Sequence, residues 1–99
     1  MKVKIQSIHF DADRKLLNFI DEKINKLSHV YDGVLGGEVF LRLDKAADAE
    51  NKIAEIRLSL PGNAIFAKKQ CKTFEEATDT AINALKSQLV RHKERTTKA

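Results

Sequence analysis

The sequence predicts an α+β fold, a two-layer sandwich in which two helices pack on one face of a four-stranded sheet in the order β-α-β-β-β-α. Three observations predict it. Apolar residues alternate with polar ones over 2–8, 38–43 and 52–60, the period of half-buried strands. They recur at helical spacing over 14–29 and again from Phe74 to about Arg95. A "PGN" step at 61–63 joins two strand-like runs, 53–60 and 64–71, as a hairpin. Two amphipathic helices can cover only one face of such a sheet, which sets the layering.

Each element has its own signal. In the first strand Val3 and Ile5 point one way and Lys2, Lys4 and Gln6 the other. Asp13 has the chemistry of an N-cap, because its carboxylate can accept from free amides of the next turn. From there Leu16, Leu17, Ile20, Ile24, Leu27 and Tyr31 mark one helical face. Gly33, Gly36 and Gly37 loosen the chain after it. Val39, Leu41 and Leu43 then share one face of a strand, and "DKAADAEN" (44–51) is a polar loop. The next strand buries Ala54, Ile56, Leu58 and Leu60. Thr73 caps the last helix, with Glu76 completing a capping box. Lys69 is out of place, because it follows Ile65 and Ala67 on the face turned to the core. Either a bulge re-aims it or its stem snorkels to the sheet edge.

The 99 residues fit one domain spanning 1–99, with a net charge of +4 and an isoelectric point near 9.3. That balance permits an anionic partner without requiring one. A lone Cys71 excludes an intrachain disulfide, and no Cys/His cluster has zinc-ligand spacing. No segment has the length of a signal peptide or a membrane span, so a cytoplasmic location is expected. Cys71, His9, His29 and His92 lack the neighbours of a nucleophile or acid–base pair, and no phosphate-loop or dinucleotide fingerprint is present. The expectation is a protein that is not an enzyme, with no cofactor, metal or small-molecule substrate.

The last helix carries the strongest functional signal. With about 3.6 residues per turn, Phe74, Ala81, Ile82, Leu89 and His92 fall within about 60° of Leu85. Lys86 and Lys93 lie on one flank, and Arg91 and Arg95 on the other. Glu75, Glu76 and Asp79 open the helix; Arg91, Lys93, Arg95 and Lys98 close it, as a basic tail from about 91. Complementing the helix dipole accounts for one or two such bases, each contributing about 0.3–1 kcal/mol. It does not account for four, or for their continuing past Leu89, the last apolar anchor. Lysines and arginines fanned around a helix end suit a sugar-phosphate backbone. Lys15, Lys23 and Lys26 on the first helix extend the patch if the two helices lie side by side, and Lys68, Lys69 and Lys72 could extend it further. The acids Asp44, Asp48 and Glu50 sit apart in the loop.

These residues resemble a known family. "FEEATDTAINALKSQLVRHKER" looks like the last helix of the ribosome hibernation promoting factor and ribosome-associated inhibitor family, at Phe74, Ala77, Asp79, Ala81, Leu85, Gln88, Leu89, Arg91, His92 and Lys93. "LLNFIDEKINKLSHVYDGV" is similar to the family's first helix at Lys23, Lys26, Leu27, Tyr31 and Asp32. No single motif is diagnostic; the order and spacing of the set carry the resemblance. It implies binding to the small ribosomal subunit and its rRNA in the channel for mRNA and tRNA. It implies blocked translation in stationary phase or stress, and a helper protein where ribosomes pair. It places RNA contacts on Lys23, Lys26, Lys86, Arg91, His92, Lys93 and Arg95. The chain looks like the short form, since long members add a linker and a dimerising domain and the inhibitor type adds a tail.

Two other classes compete. A double-stranded RNA-binding domain uses a basic N-terminal end of its final helix, whereas "TFEEATD" here is acidic. A general structured-RNA-binding domain remains an alternative, as does a protein-interaction module without RNA. For the last, Phe40, Ile53 and Phe66 would form an apolar strip on the outer face of the sheet, beside Arg42, Lys52 and Arg57.

Overall fold

The computed structural model describes residues 1–46 and 49–97. Asp48 of the acidic loop and Lys98 of the basic tail lie outside the described residues. The element order is β1 (Lys2–Ser7), α1 (Arg14–Asn25), a 3₁₀ turn (Lys26–His29), β2 (Gly36–Leu43), β3 (Lys52–Leu60), β4 (Asn63–Cys71) and α2 (Phe74–Thr97). The α+β sandwich with two helices on a four-stranded sheet is therefore the observed fold. The strand order is β1-β2-β3-β4, with β1 parallel to β2 and the other neighbours antiparallel.

Local chemistry sets the ends of the elements. Asp13 caps α1, the Leu16 amide donating to its Oδ1 at 2.8 Å. Thr73 caps α2, its Oγ1 accepting from the Glu76 amide at 3.0 Å. The first helix ends in a tighter 3₁₀ turn, which satisfies its last carbonyls before the chain leaves for β2. Between β3 and β4 only Pro61 and Gly62 turn the chain, Gly62 at φ 70, and Leu60 pairs with Asn63.

One core lies between the layers. Ile20, Ile24 and Leu27 come down from α1, and Ala77, Ala81, Leu85 and Leu89 from α2, onto Val39, Leu41, Ala54, Ile56 and Leu58 of the sheet. Gly36 and Gly37 prove to be strand residues. Gly37 faces the core, where a Cβ would lie 2.9 Å from Ile24 Cδ1 and 3.2 Å from Leu58 Cδ2. Its missing side chain is what lets α1 settle on β2.

Three other expectations change. Leu43 is 40% exposed, because β2 runs out there beyond the cover of the helices. Ile53, expected on an exposed strip, is only 6% exposed although it faces away from the helices. Its neighbours across the sheet are Arg42 and Gln70, and the Gln70 Nε2 donates to Asp44 Oδ2 and to the Glu50 carbonyl, folding the loop back over this end. Lys69 sits in unbroken register opposite Ala54, so no bulge re-aims it; it is exposed because β4 is an edge strand.

Candidate nucleic-acid interface

The sheet makes the two helices parallel. β4 runs in the same direction as β1, and each is followed by a helix that returns across the same face. Contacts between the helical layers follow that order. Phe10, just before α1, stacks on Phe74 at the start of α2 with centroids 5.0 Å apart. Lys23 Nζ lies 3.5 Å from Asp79 Oδ1. Tyr31, beyond α1, meets His92 edge-on at 5.2 Å. The basic end of α2 therefore projects on the side where α1 ends.

The Lys23–Asp79 pair fixes which flank of α2 faces α1. Asp79, Lys86 and Lys93 repeat every seven residues and share that flank. On α1, Lys15, Phe19, Lys23 and Lys26 share the flank turned to α2, and Lys23 also lies 5.5 Å over the Phe19 ring. Lys15, Lys26, Lys86 and Lys93 are exposed, while Lys23 is half-buried. The groove between the helices thus carries bases from both. An acid tempers it at the Lys23 end, and a depression around Lys26 is also lined by Asp21 and Glu22.

Arg91 and Arg95 belong to the opposite flank. They line a depression of about 270 Å³ together with His92, Gln88, Asn63 and Ile65, against the β4 edge. Gln88 clamps the helix there, its Nε2 donating to the Phe66 carbonyl at 2.9 Å. The outward side joins the two flanks, where Lys86, Ser87, Val90 and Arg91 share a surface. Past Leu89, which is fully buried, Val90 is 40% exposed and Arg91, Lys93 and Arg95 are exposed. This end can act as a cationic prong that presents charge to both sides of a phosphate backbone.

The structure brings Lys86, Arg91, His92, Lys93 and Arg95 together on one helix end and sets Lys23 and Lys26 along the adjoining groove. It does not add the strand lysines. Lys68 alternates with Ala67 and points to the helix-free face of the sheet. Lys69 and Lys72 lie where β4 leads into the acidic first turn of α2. Sequence reasoning missed Asn63 and Gln88 at the site. Gln88 had a signal, standing one turn before Arg91 and two before Arg95 on their flank; Asn63 had none, because only the fold carries the hairpin tip under α2.

Fold and site together describe an α+β sandwich with a basic helical face. The chain belongs to the family described as sigma 54 modulation protein / S30EA ribosomal protein, which matches residues 3–97. It is 25% identical over 95 residues to the ribosome hibernation promoting factor of Pseudomonas putida, covering 96% of this chain and 89% of that one. It is 27% identical over 95 residues to the protein of the same name from Azotobacter vinelandii, covering 96% and 85%. Among solved structures, the Thermus thermophilus Protein Y N-terminal domain superposes with a TM-score of 0.80 at 25% identity, over 93% of this chain and 99% of that one. A ribosomal subunit interface protein from Coxiella burnetii shares the fold with a TM-score of 0.84 at 19% identity, over 95% and 99%. No helix among the described residues is long and apolar enough to cross a membrane.

Proposed function

We propose that this chain is a ribosome hibernation factor that binds the small ribosomal subunit in the mRNA and tRNA channel and blocks translation. The observation that carries the reading is the end of α2. The helix continues beyond Leu89, its last core residue, as exposed Arg91, Lys93 and Arg95. The names of the Pseudomonas and Azotobacter relatives support it. The mechanism is steric and electrostatic. Lys86, Arg91, Lys93 and Arg95, with Lys23 and Lys26 beside them, neutralise rRNA phosphates and release counterions, and His92 seats the prong against Tyr31. Basic side chains on helices position a protein on backbone, so selectivity comes from the fit of a rigid body to a folded cleft.

Co-sedimentation with ribosomes on sucrose gradients tests it. The expected result is binding to the small subunit that weakens steeply from about 50 to 200 mM salt. Arg91→Glu with Lys93→Glu should abolish it in a protein that circular dichroism shows to be folded. Undiminished binding in that variant would remove the α2 end from the interface. Absence of ribosome binding with retained affinity for free folded RNA would favour a general RNA-binding domain.

A further inference from the structure

The face of the sheet turned away from the helices is built from two aromatic residues set among bases. Across the strands, one row runs Lys4, Glu38, Arg57, Phe66, and the next runs Gln6, Phe40, Glu55, Lys68. Phe66 is 62% exposed, between Ile65 and Ala67, which turn to the core. The Arg57 guanidinium lies 5.8 Å over its ring. Phe40, Phe66, Arg57 and Lys68 line one shallow groove of about 320 Å³, with Glu55 also on its wall.

The charges on this face favour an anion. The two acids are each taken up by an arginine: Arg42 bonds Glu55, and Arg57 Nη1 donates to Glu38 Oε1 at 3.1 Å. Lys2 and Lys4 are left in excess at one side of the sheet, and Lys68, near the Asp44 carboxylate, flanks the other, all three exposed. An apolar partner would have to desolvate these lysines, which makes the face a poor protein-docking surface. An exposed ring beneath a guanidinium, between lysines, is instead the arrangement that holds unpaired bases by stacking and their phosphates by charge.

We propose that this helix-free face is a second nucleic-acid surface, on which bases of single-stranded RNA stack against Phe66 and Phe40 while Arg57, Lys68 and Lys4 hold the phosphates. It lies on the opposite layer from the basic helical face and does not rest on the ribosome reading. Single strands fit it because a duplex keeps its base faces inside the stack.

The chain has no tryptophan, so a Phe66→Trp variant carries a sole indole reporter at the point of stacking. Labelled oligouridine and oligoadenosine of about eight nucleotides, a length within one such surface's reach, are the probes. Expected are quenching of the indole on binding, an affinity that falls with salt, and a loss of about tenfold in Phe66→Ala, as for removal of one stacked base. In Arg91→Glu with Lys93→Glu the overall affinity falls with the lost positive charge, but the indole quenching at saturating oligonucleotide should persist, since the prong faces elsewhere. Phe66→Ala at wild-type affinity, an unquenched indole, or loss of the saturating quench in the α2 double variant would each overturn the proposal. So would a concentration-dependent dimer in ultracentrifugation that Phe66→Ala dissolves while RNA affinity stays unchanged, which would give the face to a second copy of the chain.

Discussion

Lys23 Nζ and Asp79 Oδ1, 3.5 Å apart, tie the last turns of α1 to the first turns of α2. The pair marks the boundary between the acidic start of α2 and its basic end. It also holds one of the candidate RNA-binding lysines against a carboxylate. Because both side chains remain partly exposed, the pair contributes little to stability.

Asp79→Asn should therefore change the stability by less than about 1 kcal/mol, measured by urea denaturation. It frees Lys23 and removes a negative charge from the groove. Ribosome or rRNA affinity should rise, and its salt dependence should steepen. An affinity that stays the same would place Lys23 outside the interface.

Gly33 sits under the Tyr31 ring, where a Cβ would come within 2.4 Å of Cε2. Gly33→Ala should push the ring away from His92 and end the edge-on contact. The expected cost is about 1 kcal/mol, the scale of an aromatic pair. The imidazole proton shifts of His92 should move toward random-coil values in the NMR spectrum. RNA affinity should fall with them, because the α2 end loses its brace.

Thr78 is fully buried in α2, and its Oγ1 has no hydrogen-bond partner among the described residues. A hydroxyl in that position has given up water for nothing. Thr78→Val keeps the shape and removes the polar atom. A gain of about 1 kcal/mol in urea denaturation is expected, with RNA binding unaltered.

The Asp44 carboxyl is held below its ordinary value of 3.8, chiefly by the hydrogen bond from Gln70, then by the Ala46 amide and the charge of Lys68. A lowered pKa in the folded protein means that the stabilising contribution is fully present above the unfolded value. It is lost as pH falls through the folded one. The difference in urea midpoint between wild type and Asp44→Asn should thus be constant from neutral pH down to about 5 and vanish in strong acid. A difference that grows on acidification would contradict the sign.

The elements were legible because their signals are local. Alternation, helical period, the Asp13 and Thr73 caps and the Pro61-Gly62 turn each involve a few neighbouring residues, and each stands where the sequence places it. The charged end of α2 was legible for the same reason. What escaped depends on facing surfaces. Periodicity gives the angle of Lys86 around its own helix but not that its flank faces α1, which follows from the parallel run of the two helices. Ile53 looked exposed because strand alternation cannot show a loop returning over it through Gln70. Lys68 and Lys69 looked like one patch with α2, yet consecutive strand residues point to opposite faces.

The parallel pairing of β1 with β2 has a consequence for the order of assembly. Leu60 finds Asn63 across a turn, whereas Lys2 must find Gly36 across an entire helix. Closing that long loop costs chain entropy before any contact returns it. The hairpin of β3 and β4 should then form ahead of the β1–β2 pairing, which leaves the strand made first as the last expected to dock. The same strand should be the first to leave. Among the strand amides, exchange should run faster in β1 than at Ile56 and Leu58 of the interior strand β3, so that the amino-terminal edge frays before the middle of the sheet.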